Sequence, residues 1–334
     1  MIRKIAILTE GGSDKGFGHI TRCLALSQYK DFMPLILIRG DKNNNMWSFI
    51  QHNPCIFMDW INDPKVELIL NTVDKFDAIF IDSYFTTPDF YERIKHKAKV
   101  LVCLDDTERI EYPDNTVIWN GGISAKEMYY PRSNKKKYLL GSDFAPMRKD
   151  FWEVPPFIVK DEIRNVLITC GGMSHFYFIS QLVERLKKTF PDLNCHVVIP
   201  ASDKDLYDNV DELDDVTLYC ELTAKDIKKL MYDSDVCISG GGQTLYELAR
   251  VGIPTIGICL ADNQIPNLKG WTKCGFLEYA GRYVDAKILE QIESAMKNLV
   301  APATRQERME IAREIIDGRG IQRVGERVVE IMDG

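Results

Sequence analysis

Gly16-Phe17-Gly18-His19 stands between an apolar run at residues 5–8 and residues 20–28, where apolar side chains recur at helical spacing. This order of strand, glycine-rich loop and helix predicts a ligand-binding turn, because glycine allows close approach of the backbone and a helix start exposes unpaired N–H groups to an anion. His19 is expected at that helix start, above the carboxyl ends of the strands, where open α/β sheets bind ligands. The partial positive charge of the helix end suits a neutral imidazole that acts as a base. The alternative is an ordinary strand-to-helix turn in which the histidine only caps or packs.

The composition narrows the class of protein. The chain has 334 residues, a length that predicts about two domains, and its hydrophobic fraction of 45% is typical of a soluble globular protein. A formal net charge of −7 argues against nucleic-acid binding as the main activity. The nine cysteines are scattered without a C-x-x-C pair, which predicts reduced, buried thiols in a cytoplasmic protein. The N-terminal apolar run is short for a signal peptide, and no run reaches membrane-spanning length, so we expect no membrane span.

Strands and helices are predicted to alternate along both halves of the chain. Apolar runs in the first half predict buried strands at residues 5–8, 34–40, 77–82, 99–104 and 116–122, with a helix at 88–97. The pattern breaks at a polar, basic segment, residues 130–137, and at Pro155-Pro156, and it restarts with a strand at 164–170. We therefore predict an α/β fold with two Rossmann-like domains, residues 1–152 and 157–334, whose parallel sheets face each other across a cleft.

A second glycine-rich turn, Ser239-Gly240-Gly241-Gly242, leads into a predicted helix that ends at Gly252. Its backbone and the helix start are suited to a phosphate or diphosphate. Thr244 and Glu247 share one face of that helix, so Glu247 either accepts hydrogen bonds from a ribose or closes a capping box with Thr244. The sequence lacks the Walker lysine and the G-x-G-x-x-G pattern here, which argues against an ATPase and against a nicotinamide cofactor.

Taken in order, these motifs resemble the UDP-sugar hydrolases of pseudaminic acid biosynthesis. These enzymes are relatives of the N-acetylglucosaminyltransferase that makes lipid II and share its GT-B fold. The resemblance spans both halves of the chain and rests on Gly16-Phe17-Gly18-His19, Ile81-Asp82-Ser83-Tyr84, Leu104-Asp105-Asp106, Gly171-Gly172, Ser239-Gly240-Gly241-Gly242, Ala261-Asp262-Asn263-Gln264 and Asp317-Gly318-Arg319-Gly320. It implies a last helix able to pack back on the N-terminal domain.

The resemblance also implies an activity. The family cleaves UDP-2,4-diacetamido-2,4,6-trideoxy-β-L-altropyranose at the anomeric carbon to the free sugar and UDP, without a metal or another cofactor. Attack by a single activated water on the face opposite the leaving group predicts inversion. Two departures border the expected ligand site: Met173-Ser174-His175 replaces the usual Asp after the second double glycine, and Asp82-Ser83-Tyr84 replaces Asp-His-Tyr. These departures affect which sugar is expected as substrate more than they affect the expected fold.

The roles implied for individual residues follow from this resemblance. His19 is the base for water, and Tyr84 helps to hold the sugar or the water. The diphosphate is expected at Gly241, Gly242, Gln243 and Thr244, the ribose at Glu247, and the sugar at Asn263 and Gln264. The other expected substrate-binding residues are Gly16, Phe17, Gly18, Arg22, Gly171, Gly172 and Gly240.

Other interpretations stay open at this point. The chain could be a GT-B glycosyltransferase in which His19 deprotonates an acceptor hydroxyl, or a non-catalytic sugar-nucleotide binding protein. We see no amphipathic basic helix that would seat a lipid-linked acceptor, which favours the hydrolase. Asp105-Asp106 is either a Mg²⁺ site or, in our preferred interpretation, the end of a strand that hydrogen-bonds the next turn. The remaining candidates are expected to be structural or surface residues: His52, His96, His175, His196, Trp60, Trp119 and Trp271. Of these, His175 lies next to the second double glycine, where it could touch phosphate.

Overall fold

The computed structural model describes residues 1–12, 16–40, 54–72, 75–130, 133–171, 175–200, 203 and 215–334. The chain forms two compact units. The first consists of Met1–Lys149 together with Gly318–Gly334, and the second of Asp150–Asp317. Each unit contains one sheet in which all described strand pairs are parallel.

The first unit is built on a sheet of seven described strands in the order β3-β2-β1-β4-β5-β6-β7. The strands are β1 (Arg3–Glu10), β2 (Phe32–Arg39), β3 (Cys55–Phe57), β4 (Phe76–Asp82), β5 (Ala98–Leu104), β6 (Thr116–Asn120) and β7 (Lys137–Leu140). Helices in the same part of the chain are α1 (Gly18–Ser27), α2 (Lys65–Leu70) and α3 (Pro88–Ile94), with 3₁₀ turns at Lys95–Lys97, Ala125–Glu127, Ser142–Phe144 and Lys149–Phe151.

The central strands are continuous apolar runs because a doubly wound parallel sheet is covered on both faces. Ile7 and Leu8 are neighbours on β1 whose side chains point to opposite faces, and both are fully buried. The strand order reverses between β1 and β4, and such a reversal opens a crevice at the carboxyl ends of the strands. The turn after β1, which leads to His19, and the turn after β4, which carries Tyr84, therefore lie at this crevice.

The second unit repeats the same arrangement with six described strands in the order β10-β9-β8-β11-β12-β13. The strands are β8 (Asn165–Thr169), β9 (Asn194–Val198), β10 (Val216–Tyr219), β11 (Val236–Gly240), β12 (Thr255–Cys259) and β13 (Leu277–Arg282). The helices are α4 (Phe176–Thr189), α5 (Ala224–Asp233), α6 (Thr244–Val251), α7 (Ile265–Lys273), α8 (Ile288–Asn298) and α9 (Pro302–Ile315), with a 3₁₀ turn at Asp262–Gln264. Here the order reverses between β8 and β11, so the turn with Gly171 and the turn with Gly241 lie at the crevice.

The last helix, α10 (Gly320–Asp333), belongs to the first unit. At Gly320 the helix lies so close to the rest of the first unit that an added Cβ would be 2.0 Å from the Ala145 carbonyl oxygen. At Gly325 an added Cβ would lie 2.7 Å from the Tyr29 ring, and Arg323 Nη1 donates to the Asp143 carbonyl at 3.1 Å. Because these two glycines have no side chain, α10 can pack directly against Ala145 and Tyr29.

The chain enters the second unit at Asp150, slightly before the boundary predicted from Pro155-Pro156. Arg250 on α6 explains the difference, since its guanidinium donates to the carbonyl oxygens of Phe151 and Trp152 at 3.1 and 2.8 Å. The segment before the prolines is thus attached to the second unit by hydrogen bonds between residues distant in sequence, which the local composition does not reveal.

In the first sheet, two of the described strands lie where the sequence predicted none. β3 and β7 are the edge strands of the first sheet, and β7 begins at the end of the segment interpreted as a polar break. Only Leu139 of β7 is buried, and an edge strand with a lysine and little buried surface lacks the apolar signature of a central strand. The predicted end of α6 is confirmed, since Gly252 caps it in the left-handed conformation at φ 94°. In the described part of the chain, no helix combines the length and apolar character needed to cross a membrane.

Candidate active site

Two side chains on the first turns of α1 reach one carboxylate at the end of β4. His19 and Arg22 are three residues apart and so share a helix face. His19 Nδ1 lies 2.6 Å from Asp82 Oδ1, and Arg22 Nε and Nη2 each lie 2.5 Å from an oxygen of the same carboxylate. The loop that leads to α1 closes with a hydrogen bond from Gly12 N to Gly16 O at 3.2 Å, Gly16 has φ +72°, and Phe17 is the N-cap residue before Gly18.

The hydrogen bond to Asp82 decides the tautomer of His19. An ionised carboxylate only accepts, so the proton of this bond belongs to Nδ1. Arg22 Nη2 also lies 3.0 Å from Nδ1, but a protonated Nδ1 has no lone pair to accept from it, so this is a contact between two donors that share one acceptor. The lone pair of the neutral imidazole is therefore on Nε2. A histidine oriented by a carboxylate through Nδ1 and basic at Nε2 is the arrangement of a general base.

Asp82 stays ionised although its side chain is only 1% exposed. Burial alone would raise the pKa of this carboxyl, but the Arg22 guanidinium and the hydrogen bond from His19 outweigh burial and hold the pKa well below its usual range. Cys23 Sγ makes a further weak contact, 3.6 Å from Oδ2. Asp82 thus contacts three side chains of α1 and binds two of them, His19 and Arg22, tightly.

Arg22 joins Asp82 to a second carboxylate, Asp106, which follows β5 by two residues. Arg22 Nη1 lies 2.8 and 2.7 Å from the two oxygens of Asp106. All three guanidinium nitrogens of Arg22 therefore contact protein carboxylates. This arginine, whose side chain is 11% exposed, ties the carboxyl ends of β4 and β5 to α1.

Tyr84 is held by its side chain and by its backbone. Its Oη donates to Asp106 Oδ2 at 3.0 Å, and its ring meets the His19 ring edge-on with centroids 4.5 Å apart. Burial and then the charge of Asp106 raise the pKa of Tyr84 far above its usual range, so the phenol keeps its proton. The Tyr84 backbone N–H donates to Glu10 Oε1 at 2.7 Å, and Glu10, the last residue of β1, is buried.

The paired acidic residues after β5 have different roles. Asp105 Oδ1 accepts from the backbone N–H groups of Thr107 and Arg109 at 3.1 and 3.4 Å, which confirms that Asp105 hydrogen-bonds the next turn. Asp106 is bound by the Arg22 guanidinium instead. Over the part of the chain that the structure describes, no group of three or more His, Cys, Asp or Glu side chains is arranged to hold a metal ion.

The glycines of the second turn differ in what surrounds them. An added Cβ would lie 2.6 Å from Leu260 Cδ1 at Gly240 and 2.6 Å from Leu268 Cγ at Gly241. At Gly242 no atom lies within 4 Å of the added Cβ, and the backbone is not in the left-handed region. The first two glycines are therefore required by packing within the protein, whereas the third faces open space.

Two side chains of the following segment hold this turn. Gln264 Oε1 accepts from the backbone N–H groups of Gly241 and Leu260, both at 3.0 Å. Asn267 Nδ2 donates to Gly241 O at 2.7 Å, and Tyr246 Oη donates to Asn267 Oδ1 at 2.6 Å. The Gly241 N–H is thus engaged within the protein. Asn263, beside Gln264 in the 3₁₀ turn, is exposed.

Helix α6 starts directly after this turn, at Thr244, with Gln243 as its N-cap residue. Thr244 is thus the first residue of the helix and not its N-cap residue, and the helix has no side-chain hydrogen bond from its N-cap residue. Glu247 is buried on the first turn. The first N–H groups of a helix lack acceptors in the preceding turn and carry the positive end of the helix dipole.

The remaining candidates separate into groups. Gly171 follows β8 at φ +81°, in the left-handed region that favours glycine, while Gly172 lies outside the described residues. His175 is the N-cap residue of α4, contacts the Tyr283 ring with centroids 5.0 Å apart, and has a pKa lowered by burial. The three tryptophans expected to pack are fully buried, which confirms that interpretation: Trp60, Trp119 and Trp271.

Comparison with known proteins shows what the chain is similar to. Over 292 residues it is 27% identical to a Helicobacter pylori protein named pseudaminic acid cytidylyltransferase and UDP-2,4-diacetamido-2,4,6-trideoxy-beta-L-altropyranose hydrolase. The match covers 86% of this chain but only 50% of the H. pylori protein. The resemblance inferred from the motifs is confirmed. No family model matches the chain.

Solved structures establish the fold as GT-B. MurG of Acinetobacter baumannii matches with a TM-score of 0.63 and 14% identity, covering 99% of this chain and 100% of MurG. The complex of Staphylococcus aureus MnaA with UDP matches with a TM-score of 0.66 and 13% identity, covering 99% and 97%. At such identities the likeness concerns the fold alone. The prediction of a GT-B α/β fold is therefore confirmed.

The structure of this GT-B chain adds residues that the sequence did not assign to the site. Asp82 stood in a quoted motif without a role, Asp106 was considered only as part of a metal site or a strand end, and Glu10 and Asn267 were not considered. A signal for the first two was present, because both come at or just after the carboxyl ends of neighbouring parallel strands, where side chains converge. The partners that they contact, Arg22 and Tyr84, were not predictable from spacing.

We expect Asp82→Asn to lower the free energy of unfolding by roughly 3 kcal/mol at pH 7, since it removes the buried partner of the Arg22 guanidinium, whose side chain is only 11% exposed. Folding lowers the pKa of Asp82 from its value of about 3.9 in the unfolded chain. The ionised Asp82 therefore stabilises the fold at pH values above about 3.9, and this stabilisation is lost as the pH falls below that value. The deficit of the variant should therefore shrink only below about pH 4.

Urea unfolding monitored by circular dichroism at several pH values measures this deficit. Asp77→Asn is the control, since Asp77 lies on the same strand and pairs with Lys99 at the surface, where a charge pair is worth about 1 kcal/mol or less. Equal losses for the two variants at pH 7 would contradict a dominant role for the Asp82 network.

Proposed function

We propose that the chain hydrolyses a UDP-linked diacetamido-trideoxy sugar at its anomeric carbon, releasing UDP and the free sugar with inversion, as a step of pseudaminic (nonulosonic) acid biosynthesis. The observation that carries the proposal is the His19–Asp82 pair, an imidazole oriented through Nδ1 by a carboxylate, beside Tyr84. The GT-B fold shared with a UDP complex and the similarity to the H. pylori protein support it.

In the proposed step, His19 Nε2 removes a proton from water as the water oxygen bonds to the anomeric carbon. The bond from that carbon to the diphosphate oxygen breaks, and UDP leaves with the electron pair. The proton stays on the imidazole, where the Asp82 carboxylate stabilises the resulting positive charge. UDP is a good leaving group, so the reaction needs a base and donors for the diphosphate more than a strong acid.

The start of α6 is our candidate for those donors. Gly242, Gln243 and Thr244 precede or begin the helix, where N–H groups and the helix dipole favour a diphosphate. The Gly241 N–H is bound by Gln264, so we assign Gly241 a structural role in the turn. We assign the contact with the diphosphate to Gly242. Glu247 on the first turn of the same helix is assigned to the ribose.

The name of the H. pylori protein combines two activities, and the chain spans half of that protein. We assign the hydrolase activity because His19 and Asp82 form a base for an attacking oxygen. A cytidylyltransferase joins a sugar oxygen to a nucleotide phosphorus, whereas the motifs of this chain resemble enzymes that release a sugar from UDP. Glycosyl transfer uses the same kind of base, and it differs only in the nucleophile.

Incubation with a panel of UDP-sugars, followed by NMR of the products, tests the function. We expect UDP and free sugar without an added acceptor, the opposite anomeric configuration in the first-formed sugar, and the same rate in EDTA. Release of UDP only when an acceptor alcohol is added would identify a glycosyltransferase. Binding of a UDP-sugar without release would identify a binding protein, and loss of turnover in EDTA that Mg²⁺ restores would overturn metal independence.

His19→Gln is expected to lower kcat by about 10²–10⁴ with little change in KM, because it removes the base but keeps the side-chain volume and polarity. His96→Gln is the matched control, since His96 is exposed in the same unit and lies outside the proposed site. Steady-state kinetics on the confirmed substrate give both values. Near-normal turnover in His19→Gln would reject the assignment of the base.

Two glycine variants separate folding from ligand binding. Gly242→Ala should leave the melting temperature unchanged, because the new methyl group meets open space, and should weaken UDP binding at least about tenfold if the diphosphate lies there. Gly241→Ala should destabilise the second unit by about 1–3 kcal/mol, because its methyl group would collide with Leu268. Thermal unfolding and titration calorimetry with UDP measure the two effects; unchanged UDP affinity in Gly242→Ala would move the diphosphate elsewhere.

A further inference from the structure

We infer that Asp106 is a positioning residue that makes the site selective for water over alcohols, because it holds Tyr84 as a hydrogen-bond acceptor. The inference rests on the proposed hydrolysis. It concerns what separates a hydrolase from a transferase that uses the same kind of base.

The first step of the argument is the proton of Tyr84. A phenol has one O–H, and Tyr84 donates it to Asp106 Oδ2 at 3.0 Å. Once this proton is committed, the phenolic oxygen offers only lone pairs to any further partner. Arg22 Nη1 contacts both oxygens of Asp106, so this carboxyl group meets Tyr84 as the acceptor and sets the orientation of the hydroxyl from one side.

The second step is the fixation of Asp106 itself. Its side chain is 32% exposed, enough for a free carboxylate to rotate into solvent. The Nη1 atom of Arg22 contacts both of its oxygens, and Arg22 is in turn held by the buried Asp82. Asp106 is therefore held at the far end of the same network that orients His19, and one guanidinium fixes both acceptors.

The third step is the number of acceptors that meet a nucleophile. The rings of His19 and Tyr84 are in edge contact with centroids 4.5 Å apart, and the inference has the lone pair of Nε2 and those of Oη face the same nucleophile. Water has two O–H bonds and satisfies both acceptors, whereas an alcohol has one and leaves an acceptor unpaired. An unpaired polar group in a desolvated site costs about 1–3 kcal/mol, so two fixed acceptors favour water.

Removal of Asp106 reverses this preference. In Asp106→Ala the Tyr84 hydroxyl is free to rotate and to donate to an alcohol oxygen while His19 takes the alcohol proton. The alcohol oxygen then bonds to the anomeric carbon, the carbon–diphosphate bond breaks, and UDP leaves with the electron pair. The product is an alkyl glycoside in place of the free sugar.

The test measures the ratio of methyl glycoside to free sugar when the enzyme turns over its UDP-sugar in aqueous methanol. We expect Asp106→Ala to raise this ratio about tenfold over the wild type, the factor that corresponds to one unpaired acceptor. The ratio does not depend on how much of the variant is folded, because both products come from the same active molecules. An unchanged ratio in Asp106→Ala would overturn the inference.

Asp333→Ala is the matched control. It removes a carboxylate whose two oxygens are both contacted by one nitrogen of Arg3, in the same unit and outside the proposed site. Loss of an ion pair between an arginine and a carboxylate should by itself leave the product ratio unchanged. A ratio that rises as much in Asp333→Ala as in Asp106→Ala would mean that general loosening, and not the Tyr84 proton, controls the choice of nucleophile.

A double variant tests whether Asp106 acts through Tyr84. Tyr84→Phe removes the second acceptor and should itself raise the ratio, and adding Asp106→Ala to it should then change the ratio by less than about twofold. A full further increase in the double variant would show that Asp106 acts by another route and would overturn the inference. Absence of sugar release from every UDP-sugar by the wild type would instead reject the proposed function itself.

Discussion

The buried carboxylate of Asp82 is the interaction on which the first unit depends. A charge with almost no solvent contact is tolerated only when it is paired and hydrogen-bonded, and here His19 and Arg22 supply both conditions. The requirement works in both directions. Asp82 keeps its charge because α1 delivers two donors, and α1 keeps its orientation at the end of β4 because the carboxylate binds it.

One arginine extends this pairing to a second strand. Arg22 reaches Asp82 with two nitrogens and Asp106 with a third, so the ends of β4 and β5 and the start of α1 are joined by one planar group. An arginine suits this role because its guanidinium presents several donors in fixed directions. A lysine in its place would offer a point charge without those directions. The consequence is that His19 and Tyr84 are oriented from a common support.

The second unit meets a different constraint with the same topology. Its sheet also reverses strand order, and the turn after β11 must bring the backbone close to neighbouring side chains before α6 begins. Gly240 and Gly241 give up side-chain volume to Leu260 and Leu268, and Gln264 and Asn267 hold the backbone of the turn. Gly242 has no such neighbour. A glycine with open space around it in a rigid turn is what a backbone that approaches a ligand requires.

Much of this protein follows from the sequence alone. Continuous apolar runs specify central strands such as β1 and β8, because a strand covered on both faces needs no polar residues, and the glycine turns with their helix starts identify His19 and Gly242 as candidates. The edge strand β7 and the attachment of Phe151 to Arg250 escaped prediction, since weak burial and distant hydrogen bonds leave no periodic signal. Only the tertiary structure decided that Asp82 and Asp106 meet Arg22. Residues separated by more than 50 positions come together because parallel strands end at a common edge, and strand order is set by packing of the whole sheet, which no local stretch of sequence contains.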